Sequence, residues 1–310
     1  MKKPIQQKQT EIAEKQNEIS APSAPSCSTL KATIMKTTHK PILLAAALVG
    51  GLALSSTTLF AQEAATDDNA AAELAKKLQN PVASLISVPV QNNFDFGAGP
   101  DGDGFQYKVN LQPVVPISLN EDWNLISRTI LPYVYQEDVI GTSSQSGLAD
   151  TVQSLFFSPK QPTSGGIIWG AGPVFQLPTA TDDLLGEEKW GIGPTAVALK
   201  QQKGWTYGAL ANHVWSFAGD DSRADVNRTF LQPFVSYTTK TFTTLTLNTE
   251  SAYDWERSQW TVPLNGMVSQ LLKVGKQPIQ LSLGARYYAE KPSDGPEWGL
   301  RFAVTFLFPK

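Results

Sequence analysis

From residue 82 onward, apolar and polar positions alternate with a period of two. Phe105, Tyr107, Val109, Leu111, Pro113, Val115, Ile117 and Leu119 are separated by residues such as Gln106, Lys108, Asn110 and Gln112. That spacing sends successive side chains to opposite faces and predicts a strand with one apolar and one polar side. The pattern returns at Trp123, Leu125, Thr129, Leu131, Tyr133 and Tyr135, and again at Ile167, Trp169, Ala171, Phe175 and Leu177. It continues through Trp205, Tyr207, Ala209, Ala211, His213, Trp215 and Phe217, and through Ile279, Leu281, Leu283, Ala285, Tyr287 and Ala289. The last run is Trp298, Leu300, Phe302, Val304, Phe306 and Phe308. About twelve such segments are expected, each near the roughly 10 residues that cross an outer membrane at a tilt.

The connections alternate too. Short basic turns (Lys200 to Lys203, Lys240, Lys273 to Lys276) are interleaved with longer acidic loops. The loops carry Asp101 and Asp103; Glu137, Asp138 and Asp150; Asp182, Asp183, Glu187 and Glu188; Asp220, Asp221 and Asp225; Asp254 and Glu256; and Glu290, Asp294 and Glu297. Short inner turns, longer outer loops and an even strand number describe an all-β, transmembrane, antiparallel up-and-down barrel over residues 81–310 with both ends in the periplasm. Trp123, Trp169, Trp190, Trp205, Trp215, Trp255, Trp260 and Trp298 all fall near expected strand ends, as an interfacial aromatic girdle requires. A soluble β-sandwich would also alternate, but it needs neither the aromatic ends nor two distinct sets of connections. Pro113, Pro132, Pro194, Pro233 and Pro263 fall inside expected strands, where each forfeits a ladder hydrogen bond, so some strands should be bulged or shortened.

Ahead of the barrel, residues 62–80 predict a short periplasmic helix: Asp67, Asp68 and Asn69 can cap it, Leu74 and Leu78 lie one turn apart, and Pro81 stops it. The apolar run Pro41–Leu54, preceded by Lys36 and Lys40 and followed by small residues up to Ala61, has the layout of a signal peptide over residues 35–61. It is too short for a spanning helix, which needs about 20 residues. Because the polar stretch 1–34 adds nothing to an export signal, translation is expected to start at Met35.

Charge and cysteine content sharpen the picture. Of 25 Lys+Arg and 28 Asp+Glu, residues 1–61 hold 7 and 3, which leaves 18 and 25 and a net charge of −7. No basic excess exists for nucleic acid. The single cysteine, Cys27, lies in the part removed, so the exported chain needs no disulfide and is not a lipoprotein.

Several stretches look familiar. Gly170-Ala171-Gly172-Pro173 with Leu177-Pro178-Thr179-Ala180, Lys189-Trp190-Gly191-Ile192-Gly193-Pro194, and Trp215-Ser216-Phe217-Ala218-Gly219 are joined by Leu231-Gln232-Pro233-Phe234, Trp260-Thr261-Val262-Pro263, Lys276-Gln277-Pro278 and Leu307-Phe308-Pro309-Lys310. By these the chain resembles bacterial outer-membrane transporters of the phenol-degradation, MetA-pathway type, whose members are often mislabelled neuromedin U. The resemblance implies an outer-membrane barrel that moves small molecules, aromatic ones among them, and no catalytic residues.

The residues themselves offer little chemistry. His213 is the only imidazole after residue 61, and Trp215 stands two positions away on the same face where a hydrolase would want a serine. Asp101-Gly102-Asp103-Gly104 lacks the distal bidentate glutamate of a calcium loop and reads as a turn. Gly191-Ile192-Gly193 lacks the lysine and helix of a phosphate loop. No metal or cofactor is expected. On the polar face, Lys108, Arg128, Arg286 and Arg301 should line one lumen wall once the last strand closes on the first, with Glu250, Thr244, Thr246 and Asn248 on another. These charges would either set ion selectivity or pair with each other inside a filled barrel. Three functions remain: a monomeric channel or transporter for small aromatic or anionic solutes, a structural or adhesive barrel, or a lipid hydrolase using His213. The expected partners are the bilayer and its outer-membrane lipid, the solute, and the barrel-assembly machinery during biogenesis.

Overall fold

The computed structural model describes residues 67–309. The start at Met35, the signal peptide and Cys27 lie outside the described residues. One helix, α1 (Asp67–Leu78), precedes fifteen strand segments. They are β1 (Ile86–Ala98), β2 (Gly104–Leu111), β3 (Val114–Ser118), β4 (Trp123–Glu137), β5 (Gln145–Leu148), β6 (Thr151–Pro159), β7 (Ile167–Leu177) and β8 (Lys189–Gln202). They continue as β9 (Trp205–Gly219), β10 (Asn227–Thr238), β11 (Thr243–Thr249), β12 (Ser251–Asp254), β13 (Gln259–Val274), β14 (Gln277–Glu290) and β15 (Trp298–Phe308).

Every pairing is antiparallel between neighbours in the chain, and β15 returns to β1 from Ile86↔Phe308 to Phe96↔Trp298. The segments β2 and β3, β5 and β6, and β11 and β12 are halves of single strands, so the sheet closes as a twelve-stranded barrel. Closure leaves no unpaired edge, which lets a β-structure sit in hydrocarbon.

Prolines explain the three interruptions. Pro113 itself separates β2 from β3, and the gap between β5 and β6 lies opposite Pro132, whose carbonyl accepts from Ala149 N. Glu250, between β11 and β12, falls where the flanking ladders stop at Pro233 on β10 and Pro263 on β13. None of these prolines has an N–H to give. Pro263 also sits at the β13–β14 register shift, and Pro194 faces Pro173 within β7–β8.

The burial pattern is inverted relative to a water-soluble sandwich. Leu247, Leu283 and Phe217 on the outside are 64%, 63% and 65% exposed, while Asn93, Asp95 and Arg301 inside are 2%, 3% and 4% exposed. Apolar-out and polar-in is the arrangement a bilayer stabilises. The connection lengths differ less than the alternation predicts. The turns at 203–204 and 275–276 are tight, but 160–166, at the end that carries both termini, is as long as 138–144 at the opposite end.

Helix α1 lies at the barrel mouth nearest the termini. Its Leu74, Ala75 and Leu78 pack with Ala83, Leu85, Leu271 and Leu307. Gln201 Nε2 donates to the Lys76 carbonyl at 2.9 Å, and Asn124 Nδ2 donates to Ser84 Oγ at 2.8 Å. Val82 then enters an apolar core with Ile126, Phe156, Val197, Leu199 and Leu210. Residues 79–85 therefore occupy part of the interior and are tied to the wall.

Candidate functional site in the barrel interior

The ladder register brings the interior charges into rows. Asn93 on β1 pairs with Arg301 on one side and Lys108 on the other, which sets these three side by side across adjacent strands. One register step toward the far mouth, Arg286 and Asp95 flank Gly299. A Cβ at Gly299 would stand 2.3 Å from Asp95 Oδ1, so the glycine provides the gap through which Asp95 reaches the arginine.

Glu250 completes the cluster from the opposite side of β13 and β14. Arg301 engages it as a fork, Nη1 to Oε1 and Nη2 to Oε2, both at 2.8 Å. Such a planar two-point contact is the strong form of the arginine–carboxylate pair. Arg286 bridges the two acids, with Nη2 at 3.3 Å from Glu250 and Nη1 at 3.3 Å from Asp95. Its remaining donors go to Asn265 Oδ1 (2.8 Å), Asn93 Oδ1 (3.2 Å) and Tyr288 Oη (3.0 Å). Arg301 Nε also donates to Asn93 Oδ1 at 2.8 Å, and Asn265 passes its amide to Asn248. Two arginines and two carboxylates thus satisfy each other; they do not face one another across an empty lumen.

The other two cations are placed differently. Arg128 Nη2 donates to Gln112 Oε1 at 3.1 Å, and no carboxylate lies within ion-pair distance of it or of Lys108 among the described residues. Asp95 and Glu250 offset Arg286 and Arg301, so the formal charge of this set is +2, carried by Lys108 and Arg128. A buried charge without a partner is costly unless water or a ligand compensates it. At the mouth away from the termini the charges pair again: Arg228 with Glu187 (3.0 Å) and Asp254 (3.6 Å), and Lys189 with Asp225 (3.3 Å). Arg223 Nη2 donates to the Asp183 carbonyl at 2.7 Å and also to that of Gly186. Asp225, held by the Ser216 hydroxyl and then by Lys189, and Asp220, held by Ser222, both titrate below the ordinary aspartate range.

Asp95, Asn93, Asn265 and Tyr288 belong to the cluster and were missed by the alternation. Gln91, Asn93 and Asp95 share the inward parity of β1, which is the signal that would have found Asp95. The tryptophans stand on the outer face or beside it. Trp123, Trp169 and Trp205 lie at the termini end, with Trp190, Trp215, Trp255, Trp260 and Trp298 at the other. Trp123 meets Trp169 edge-on at 5.9 Å, and Trp298 stacks on Phe96 at 4.5 Å.

His213 lies on that outer face. Its ring is 4.1 Å from Trp215, and Nδ1 is 2.7 Å from Thr229 Oγ1, which also accepts from Trp255 Nε1 at 2.9 Å. His213 and Thr229 thus share one hydrogen bond, and Nε2 has no partner among the described residues. Among the described residues no carboxylate is hydrogen-bonded to the imidazole. The Asp101-Gly102-Asp103-Gly104 stretch forms a turn in which Gly102 N donates to the Gly99 carbonyl, with Gly102 at φ +75°.

No family model and no curated protein matches the sequence. The fold matches the crystal structure of an outer-membrane channel from Pseudomonas putida F1, with a TM-score of 0.59 and 16% identity over 73% of this chain and 96% of that one. A looser likeness, TM-score 0.39 and 13% identity over 79% and 100% of the two chains, joins it to the translocator domain of the autotransporter NalP from Neisseria meningitidis. At 16% identity the first likeness is one of fold. The closed barrel, its apolar exterior and that fold place the protein in the bacterial outer membrane.

Proposed function

We propose that the protein is a monomeric outer-membrane channel for small anionic or polar aromatic solutes. The observation that carries this reading is the interior surplus of two positive charges on Lys108 and Arg128, beside arginines already neutralised by Asp95 and Glu250. Fixed charge on a narrow wall raises the local concentration of counter-ions and selects for them. The resemblance of the quoted stretches to phenol-degradation transporters favours an aromatic body on that anion. Trp123, Trp169 and Trp205 mark one membrane interface, and Trp190, Trp215, Trp255, Trp260 and Trp298 mark the other. Helix α1 and residues 79–85 narrow the periplasmic mouth, so the conductance is small beside that of a wide porin.

Planar-bilayer recording of the protein purified from outer membranes tests this. A steady small conductance with anion preference is expected. A correctly folded barrel that passes no current would make it a structural or adhesive protein instead.

A further inference from the structure

Between α1, residues 79–85 and the inner wall lies a cavity of about 180 Å³. Its lining is mixed, with neutral polar side chains such as Ser87, Gln280 and Thr305 among cationic and apolar ones. Arg128 and Gln112 lie on the barrel wall and Lys77 comes from the last turn of α1, while Leu78, Leu85 and Val114 supply apolar surface; no Asp or Glu lines it. Gln112 is in place because Pro113 ends β2: its own N–H turns to the Pro89 carbonyl at 2.9 Å and its side-chain oxygen accepts from Arg128. That single bond uses one N–H of the guanidinium, and the rest have no hydrogen-bond partner among the described residues. A planar fork with free donors matches a carboxylate at two points.

The nearby acid that could have taken this role is already occupied. Glu250 is held by Arg301 and Arg286. A cavity whose lining holds cations, neutral polar groups and apolar side chains but no acids fits an anion with an apolar body. Its volume falls below the roughly 300 Å³ at which drug-sized ligand pockets begin, which limits the body to a single ring or a short chain.

We infer that this chamber is a binding site for a small apolar carboxylate, its head on Arg128 and its body against Leu78, Leu85 and Val114. The inference deepens the channel reading by giving the solute a resting place beneath the N-terminal segment. Lys77 adds attraction from the mobile end of a long side chain and contributes less than Arg128.

Calorimetric titration of the detergent-solubilised protein from outer membranes with benzoate, and with neutral benzyl alcohol as control, tests it. Benzoate is expected to bind one to one and benzyl alcohol at least about tenfold more weakly. Arg128→Gln should lower benzoate affinity by at least about tenfold, and Lys77→Gln by a few-fold. If Arg128→Gln does not fold, Gln112→Leu removes the group that orients the guanidinium and should weaken benzoate without changing benzyl alcohol. Absent benzoate binding, equal binding of the neutral control, or unchanged affinity in a folded Arg128 or Gln112 variant would overturn the site. Bilayer recording of the same preparation separates the two ideas: anion-selective current without benzoate binding sinks the site alone, and benzoate binding to a silent barrel sinks the channel alone.

Discussion

The two sides of the barrel interior are built on different physics. From β3 to β10 the wall presents Val114, Ile126, Phe156, Ile168, Val197, Leu199, Leu210, Phe230 and Phe234, which close around Val82 as a packed apolar core. Around the closure, from β11 through β15 to β2, it presents Glu250, Asn265, Arg286, Arg301, Asn93, Asp95 and Lys108. The apolar side fills space without direction and anchors residues 79–85. The charged side is held by directed pairs that satisfy four groups and leave two cations over. A barrel interior can therefore be part core and part site, with Arg128 on β4 at the border between them.

Cutting into the apolar side should cost the most stability. Phe156 has no exposed surface, so Phe156→Ala should destabilise the barrel by about 4 kcal/mol through the cavity it leaves, measured by urea unfolding in micelles. Anion preference should survive, because no charge has changed. Glu250→Gln strikes the other side. It strands Arg301, and removing one partner of a buried pair costs about 3 kcal/mol or more. Unlike the first variant it should also strengthen anion preference, since the interior gains a net positive charge. If both variants lost stability and selectivity together, the two sides would not be separable.

Gly299→Ala sharpens the charged side from within. Its methyl would displace Asp95 from Arg286, at an expected cost of about 1–3 kcal/mol from overpacking, while the Arg301–Glu250 fork stays intact. A double-mutant cycle with Asp95→Asn should then show coupling, and additive effects would place Asp95 outside the cluster.

The smallest effect belongs to the loops. Asp220 and Asp225 titrate lower in the folded protein than in the unfolded chain, so their contribution is present above the ordinary aspartate value and is lost as pH falls through the depressed values. Proteolytic nicking within 220–226 should accordingly rise only below about pH 4, with the barrel unchanged. Nicking that rose already near neutral pH would assign the loop's order to other groups.

Much of this architecture is legible in the sequence because one face of every strand meets lipid and must be apolar, which preserves the period of two. The strand breaks were announced by the prolines, but their positions opposite Pro132 and beside Glu250 depend on register, which parity does not supply. β1 escaped the alternation because Asn92 is polar on the outer side, where it accepts from Tyr107 Oη at 2.7 Å; Asp95 escaped with it. Counting by twos assigns Lys108, Arg128, Glu250, Arg286 and Arg301 to one face, but whether they pair depends on the span across the barrel and on rotamers. The reach of residues 79–85 into the interior has no periodic signature at all.

On the proposed channel reading, Lys108 and Arg128, and not the paired arginines, set the ionic preference. Reversal potentials in a salt gradient, recorded for the unmodified protein and for the Lys108→Gln/Arg128→Gln double variant, address it directly. Anion preference is expected in the first and its disappearance in the second, with the barrel still folded. An unchanged reversal potential in the double variant would contradict it.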